Sequence, residues 1–364
     1  MDPTLSDIIN VLESLAPPAL AEDWDNVGLQ VGDPGSTIRS IWVALDPTYP
    51  VVKAACRQQI DLLVTHHPLI FKPLQSLNYR TFAGSIVNLA VQHHLAIFSA
   101  HTNLDSALGG INDILASRLG LCDLKPLAMT RTRQRLKMVI HAPRETEPQI
   151  TRVLFQLRSD AGQRIMGRSA VMPVDGIVAN RDSGKIVHEN QMRIEIQVWP
   201  DEFSRVVKAL AEFQPDDRIW YDVYPLNALE QETGIGRVGS LESALDLKTL
   251  AKMIKEKLKL RHVKYAGDPA LSVKKVAVCS GSGTSLLADF FTSGAQVFVS
   301  GDLRYHDARD AEFAGLGLID IGHFHSEHFI VEALAKRLAG IFSDSEMNLT
   351  VKACDLEKDP FTVL

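Results

Sequence analysis

Residues 41–67 read IWVALDPTYPVVKAACRQQIDLLVTHH. IWVALD (41–46) is a short apolar run with the character of a buried strand, and DLLVTHH (61–67) is another, ending in two histidines. Between them, YPVVKAACRQQ (49–59) spaces its apolar residues as a helix does. Strands that alternate with helices imply βαβ units and a parallel sheet.

The alternation continues outward. Upstream, Asp7 to Leu15 places Ile8, Ile9, Val11, Leu12 and Leu15 on one helix, which Pro17 and Pro18 stop. AEDWDNVGLQVGDPG (21–35) then reads as loop. Downstream come a helix over FAGSIVNLAVQHH (82–94), a strand running into a polar loop over LAIFSAHTNLD (95–105), and a helix over GGINDILASRLG (109–120) closed by Gly120. The C-terminal part repeats the layout. KVAVCSGSG (275–283), QVFVSGD (296–302), LGLIDIGH (316–323) and MNLTVKAC (347–354) read as strands. TSLLADFFTSG (284–294), DARDAEFAG (307–315) and SEHFIVEALAKRLAG (326–340) read as the helices between them.

The middle is different. RLKMVIHAP (135–143), helical TEPQITRVLFQLRS (146–159), MRIEIQVWP (192–200), helical DEFSRVVKALAEF (201–213) and RIWYDVYPL (218–226) suggest a ferredoxin-like α+β insert, with weak strand signals over 160–191. Gly234, Gly236 and Gly239 mark a flexible return to the main fold. The expected fold class is α/β: two similar α/β lobes, 1–125 and 233–364, forming one core that is interrupted by an insert at 126–232.

Bulk properties narrow the class of function. The 364 residues, 46% hydrophobic and 23% charged, suit an ordinary globular protein of two or three domains and exclude general disorder and rods. A net charge of −6 argues against a nucleic-acid coat or a membrane-surface binder, since both need a basic face. No stretch reaches the ~18 apolar residues of a membrane span, and the acidic N-terminus lacks a signal-peptide layout. Cys56, Cys122, Cys279 and Cys354 are far apart and form no CxxC pair, which suits a reducing cytoplasm.

In an open α/β sheet, ligands bind beyond the carboxyl ends of the strands, and the polar clusters of this sequence fall there. His66 and His67 end one strand, where adjacent side chains point in opposite directions and one pair can serve two metals; capping of the strand by hydrogen bonds is the plainer reading. His101 and Asp105 follow the next strand, an imidazole and a carboxylate suited to zinc, manganese, iron or cobalt or, more plainly, a polar exit turn. In GHFHSEH (322–328), His323 and Glu327 are four apart and can converge on one ion, Ser326 can cap the following helix, and Glu327 can otherwise simply decorate a first helical turn. Together, His66, His67, Asp105, His323 and Glu327 offer three imidazoles and two carboxylates, a set that suits a two-metal centre about 3.5–4 Å across, which acidifies a shared water. SGSGTS (280–285) is either a phosphate cradle or a plain turn. Lys72, Arg80, Arg237 and Arg304 could balance an anionic substrate, though a solvated surface suits each better. Trp24 and Phe71 could stack on a base, with core packing the safer reading.

LAEDWDNVGLQVGD, DLLVTHHPLIF, AHTNLD with GGIND, CSGSG, SGDLRYHDA and GHFHSE occur in that order along the chain. The set resembles the dinuclear-metal-centre proteins related to the Ngg-interacting factor three, also described as GTP cyclohydrolase I type 2 homologues, over nearly the whole chain. The resemblance implies His66, His67, Asp105, His323 and Glu327 as ligands of two divalent transition-metal ions (zinc, iron or manganese). It implies His101 as a further site residue able to move protons, and a cytoplasmic toroidal homohexamer acting on a nucleotide or small anionic substrate. The implied activity is hydrolytic: attack by hydroxide at C8 of guanine, or phosphoester or amide hydrolysis. A non-catalytic metal-binding, metal-delivery or scaffold protein is the alternative. The insert departs from the pattern: GQRIMGRSAVM (162–172) stands where longer members often show a Gly-Tyr-x-x-Cys-like stretch.

Overall fold

Thr4 starts the first helix, α1 (Leu5–Leu15), with a reciprocal cap: its side chain accepts the Asp7 N–H and the Asp7 carboxylate accepts the Thr4 N–H. The computed structural model describes residues 2–160, 170–179, 186–211, 219–344, 347 and 349–362. They form two compact units, one of residues 1–131 with 232–364 and one of 132–231. Among the described residues, no helix is long and apolar enough to cross a membrane.

After α1 come β1 (Gly28–Val31), β2 (Ser40–Ala44), α2 (Tyr49–Arg57), β3 (Leu62–Thr65), α3 (Phe82–Gln92), β4 (Ala96–Ser99), the short α4 (Thr102–Ser106), α5 (Ile111–Leu119) and the long β5 (Cys122–Pro143). Strand β1 lies inside the stretch read as loop and pairs antiparallel with β4. Its four residues, GLQV, are too few to show a period. Gly120 ends α5 in the left-handed conformation, φ 82°.

The unit 132–231 holds α6 (Glu147–Asp160), β6 (Ala170–Ala179), β7 (Ile186–Val198), α7 (Pro200–Ala211) and the start of β8 (Trp220–Asp246). Strands β6 and β7 occupy much of the span that gave weak strand signals, in the antiparallel order β6-β7-β5. Met138, Ile140, Ala142, Ile194, Ile196 and Val198 alternate onto one face and pack against Ile150, Leu154, Val206 and Leu210. Most of the GQRIMGRSAVM stretch lies outside the described residues.

The remaining elements are α8 (Leu247–Lys257), β9 (Lys264–Ala266), β10 (Ser272–Ser282), α9 (Leu287–Thr292), β11 (Val297–Gly301), α10 (Tyr305–Phe313), β12 (Gly317–Asp320), α11 (His323–Glu327), α12 (Phe329–Asp344) and β13 (Thr350–Ala353). Two sheets organise the larger unit. The first has order β1-β4-β3-β2-β13, with β4, β3, β2 and β13 parallel. In the second, β10, β11 and β12 are parallel, with β8 and β9 antiparallel at their flanks. Strand β13 follows the second sheet in sequence yet pairs with β2 of the first.

Burial alternates along each strand. Ile41 and Val43 face Leu5, Ile8, Leu338 and Phe342 of α1 and α12, whereas Trp42 and Leu63 face Val52, Ala55, Ile86 and Ala90 of α2 and α3. In the second sheet Val276, Val278, Val299 and Ile319 meet Leu115, Leu119, Leu250 and Ile254 of α5 and α8; Ala277 and Phe298 meet Phe290 and Ala311 of α9 and α10. Both sheets are therefore covered on two sides, and the open ground for ligands is left at the strand ends.

Candidate metal centre

Three exits of the first sheet and two of the second supply the site. His66 and His67 leave β3, α4 carries Asp105 just after β4, and α11 carries His323 and Glu327 just after β12. Asp46 leaves β2 and Asp302 leaves β11.

These side chains converge. The His66 and His67 rings lie 5.1 Å apart between centroids, and His101 sits 5.2 Å from His66 and 5.5 Å from His67. His323 lies 5.5 Å from His67. Glu327 Oε2 is 3.1 Å from Nε2 of both His67 and His323. His66 Nε2 is 3.7 Å from Asp105 Oδ1 and 3.7 Å from Glu327 Oε1. The structure thus gathers all six residues singled out in the sequence.

The opposite ring nitrogens show how they are held. His66 Nδ1–H donates to Ala100 O at 2.9 Å and His67 Nδ1–H to Asp46 Oδ1 at 2.8 Å. His101 Nδ1–H donates to Asp25 Oδ1 at 2.9 Å and His323 Nδ1–H to Asp302 Oδ2 at 2.7 Å. Each acceptor is a carboxylate or carbonyl, so each Nδ1 carries the hydrogen and Nε2 is free to present a lone pair inward, the arrangement typical of metal-ligating histidine. His66 Nε2 and Glu327 Oε2 are buried and have no hydrogen-bond partner. Orphaned polar atoms of this kind are costly unless something else satisfies them. Two groups, His66 with His67 and His101, and His67 with His323 and Glu327, each bring their ligand atoms within 4.8 Å of one another and could hold a metal ion.

Electrostatics agree with a site built for cations. Burial works against the His67 imidazolium, but Asp46 and Glu327 outweigh it and raise the pKa from 6.5 to about 10. Contact with Glu327 does most to raise His323 to about 9. Burial works against the Glu327 carboxylate as well, yet His323, His66 and His67 hold it well below its ordinary range. Burial pushes Asp105 up. Asp25 is held at about 2 because its bonds to His101 and Thr102 overcome burial. Metal binding at such groups competes with protons.

Backbone and neighbours fix the cluster's side chains. Asp302 adopts the left-handed conformation, φ 53°, a rare state that aims its carboxylate at His323. Gly281, φ 63°, lies so close to Glu327 that a Cβ would overlap Oε1. Ser326 does not cap a helix: its Oγ accepts the Gly281 N–H at 2.8 Å and donates to His323 O at 2.7 Å. Asn112 joins Asp105 O to the Ser280 N–H at 3.1 and 2.8 Å.

Several expectations change. The amides of Ser280, Gly281 and Gly283 are spent on Asn112, Ser326 and Ser300, so SGSGTS is a plain turn rather than a phosphate cradle. Arg237 is buried, bonded to Asp113 and to the carbonyls of Ala107, Gly234 and Gly236. Arg304 is exposed and paired with Asp307; Lys72 and Arg80 are exposed too. Trp24 and Phe71 are not core: they are 57% and 47% exposed, 5.6 Å from each other, and Trp24 is 6.1 Å from His101. No sequence signal points to Asp25 or Asn112 as orienting residues; Ser280, Asp46 and Asp302 are marked in the sequence as polar residues just past strand ends, but not with the partners they hold here.

A cavity of about 690 Å³ opens onto His67 and His323. Asp46, Asp302, His262 and Lys264 provide polar walls, Phe324 and Phe361 apolar ones.

Fold and site together define an α/β protein with a histidine–carboxylate cluster able to hold metal. The model of the Duf34/NIF3 (NGG1p interacting factor 3) family matches residues 3–360, and the chain belongs to that family. It is 33% identical to a Bacillus subtilis protein named GTP cyclohydrolase 1 type 2 homolog, with 98% of each chain covered. A Staphylococcus aureus protein of the same name is 30% identical, covering 98% of this chain and 99% of that one. Among solved structures, a Bacillus cereus protein related to NIF3 superposes with a TM-score of 0.84 at 30% identity, with both chains fully covered. A Staphylococcus aureus hypothetical protein gives 0.71 at 27% identity, again with full coverage of both.

Proposed function

We propose that this chain is a dinuclear-metal-dependent hydrolase in which His66, His67, Asp105, His323 and Glu327 hold two divalent transition-metal ions. The observation that carries this reading is the set of imidazoles with Nδ1 engaged and Nε2 turned toward the buried Glu327 and the partly buried Asp105. Zinc, iron and manganese all suit such nitrogen and oxygen donors. Bound there, a metal pair would acidify water and polarise the bond under attack.

The residues supply the rest. Asp105 and Glu327, each 3.7 Å from His66 Nε2, supply the negative charge that would offset two cations held close together. His101, held by Asp25, takes a proton from the attacking water at Nε2 and returns it to the leaving nitrogen or oxygen. The cavity beside His67 and His323 has the size of a small-molecule site. The name shared by the relatives makes guanine nucleotide the first substrate to test. In that reaction water oxygen bonds to C8 of the imidazole ring, the ring opens, and a second water releases C8 as formate. The reading includes a cytoplasmic homohexamer.

The test is metal counting with turnover. Metal-free protein is reloaded with manganese or zinc, and formate release from GTP and cleavage of a simple phosphoester are followed. Two ions per chain and turnover that Asp105→Ala abolishes are expected. Failure to take up metal contradicts the reading; two ions with no hydrolysis of either substrate leaves a metal-binding protein instead.

A further inference from the structure

We propose that Glu357, near the end of the chain, is a positioning residue for His67, acting through the Leu45–Asp46 turn; this rests on the assignment of His67 as a metal ligand. The C-terminal segment leaves β13 beside β2, with the Cys354 N–H donating to Val43 O at 2.8 Å. Its Glu357 side chain is 4% exposed. Glu357 Oε2 accepts the Leu45 N–H and Oε1 the Asp46 N–H, each at 2.8 Å.

Those amides belong to the two residues that hold His67. Leu45 O accepts the His67 backbone N–H at 2.9 Å, and Asp46 Oδ1 accepts its ring Nδ1–H at 2.8 Å. Strand β2 ends at Ala44, so the turn lies past the sheet ladder. One carboxylate therefore clamps both residues that fix the ligand's backbone and its ring. Burying a carboxylate is unfavourable unless its oxygens are satisfied, and here two successive amides satisfy them. A ligand must be held to within about 0.5 Å of its working position, and a free turn does not provide that. The same segment supplies Asp359, Pro360 and Phe361 to the cavity wall.

Glu357→Gln keeps the shape but leaves one amide facing an NH2 group instead of an oxygen. Glu357→Asp keeps the charge and shortens the reach, and Lys358→Ala, at an exposed neighbour, is the control. The readouts are manganese affinity by competition with a chelator, the visible spectrum of the cobalt-loaded protein, and the melting temperature of the metal-free protein. The expected result is manganese bound about 10–100-fold more weakly in Glu357→Gln, with an altered cobalt spectrum and metal-free melting like that of the control. Glu357→Asp should fall between, and serves alone if Glu357→Gln does not fold. Asp46→Asn combined with Glu357→Gln should cost no more affinity than the worse single change, because both act on one path. Wild-type affinity and spectrum in the Glu357 variants, or a weaker affinity explained by lowered metal-free melting with the spectrum unchanged, overturns the inference. A wild-type chain that takes up no metal overturns the metal-centre reading itself.

Discussion

His67 and His323 show what the site does to single residues. Their imidazoles are raised from 6.5 to about 10 and about 9 by the carboxylates around them. A group whose pKa rises on folding gives stability that is fully present below its unfolded value and lost as pH climbs through the folded one. Metal-free protein should therefore lose stability from about pH 6.5 up to 9–10. Glu327 has the opposite sign: its lowered pKa gives stability above 4.5 that fades as the solution becomes more acidic. Thermal melting of the metal-free protein across pH should peak between those limits. Metal must displace the same protons, so affinity should rise with pH; a flat affinity between pH 6 and 9 would contradict the assignment. Asp302→Asn, which removes the negative charge behind His323 Nδ1, should weaken metal binding about 10–100-fold, as read by chelator competition. Gly281→Ala should also weaken it, since the added carbon overlaps Glu327 Oε1 and meets a backbone in the left-handed region.

At the scale of elements, the alternating apolar runs carried most of what folds. Strands 40–44, 62–65 and 96–99 sit where IWVALD, DLLVT and LAIFS read as buried. Strand β1 shows no period because it has only four residues, GLQV, and β13 joined a sheet that local pattern cannot choose for it. HFHSE became its own short helix, α11, before α12. The clustered residues were legible because histidines and carboxylates at successive strand exits are unusual chemistry in the usual binding position. Their supports were not, because the pairings of Asp25 with His101 and Asn112 with Ser280 cross 76 and 168 residues of sequence. The buried role of Arg237 is hidden from the sequence for the same reason: only the fold brings Asp113 and three carbonyls around it. Arg237→Ala should destabilise the protein by about 3–5 kcal/mol, because it removes the cation that pairs with Asp113 and leaves the carbonyls of Ala107, Gly234 and Gly236 without their buried donor. Denaturant melts without and with saturating metal should show the same loss, since none of its bonds reaches a proposed ligand. A loss below about 1 kcal/mol would show that the pair is not holding α5 in place.

At the scale of the whole molecule, every residue of the proposed metal centre and its cavity lies in the unit of residues 1–131 with 232–364. Gly234 already packs against Ala128 and Met129, so the chain ends left by removing 132–231 are neighbours that a short turn can join. A chain so shortened should bind metal with the same stoichiometry; loss of binding in a folded product would place part of the site in the insert. The direct measurement is anomalous scattering from crystals of the intact protein grown with manganese. Two peaks among His66, His67, Asp105, His323 and Glu327, with His101 beside them, are what the arrangement predicts. An empty site at saturating manganese, or peaks held by other residues, would contradict it.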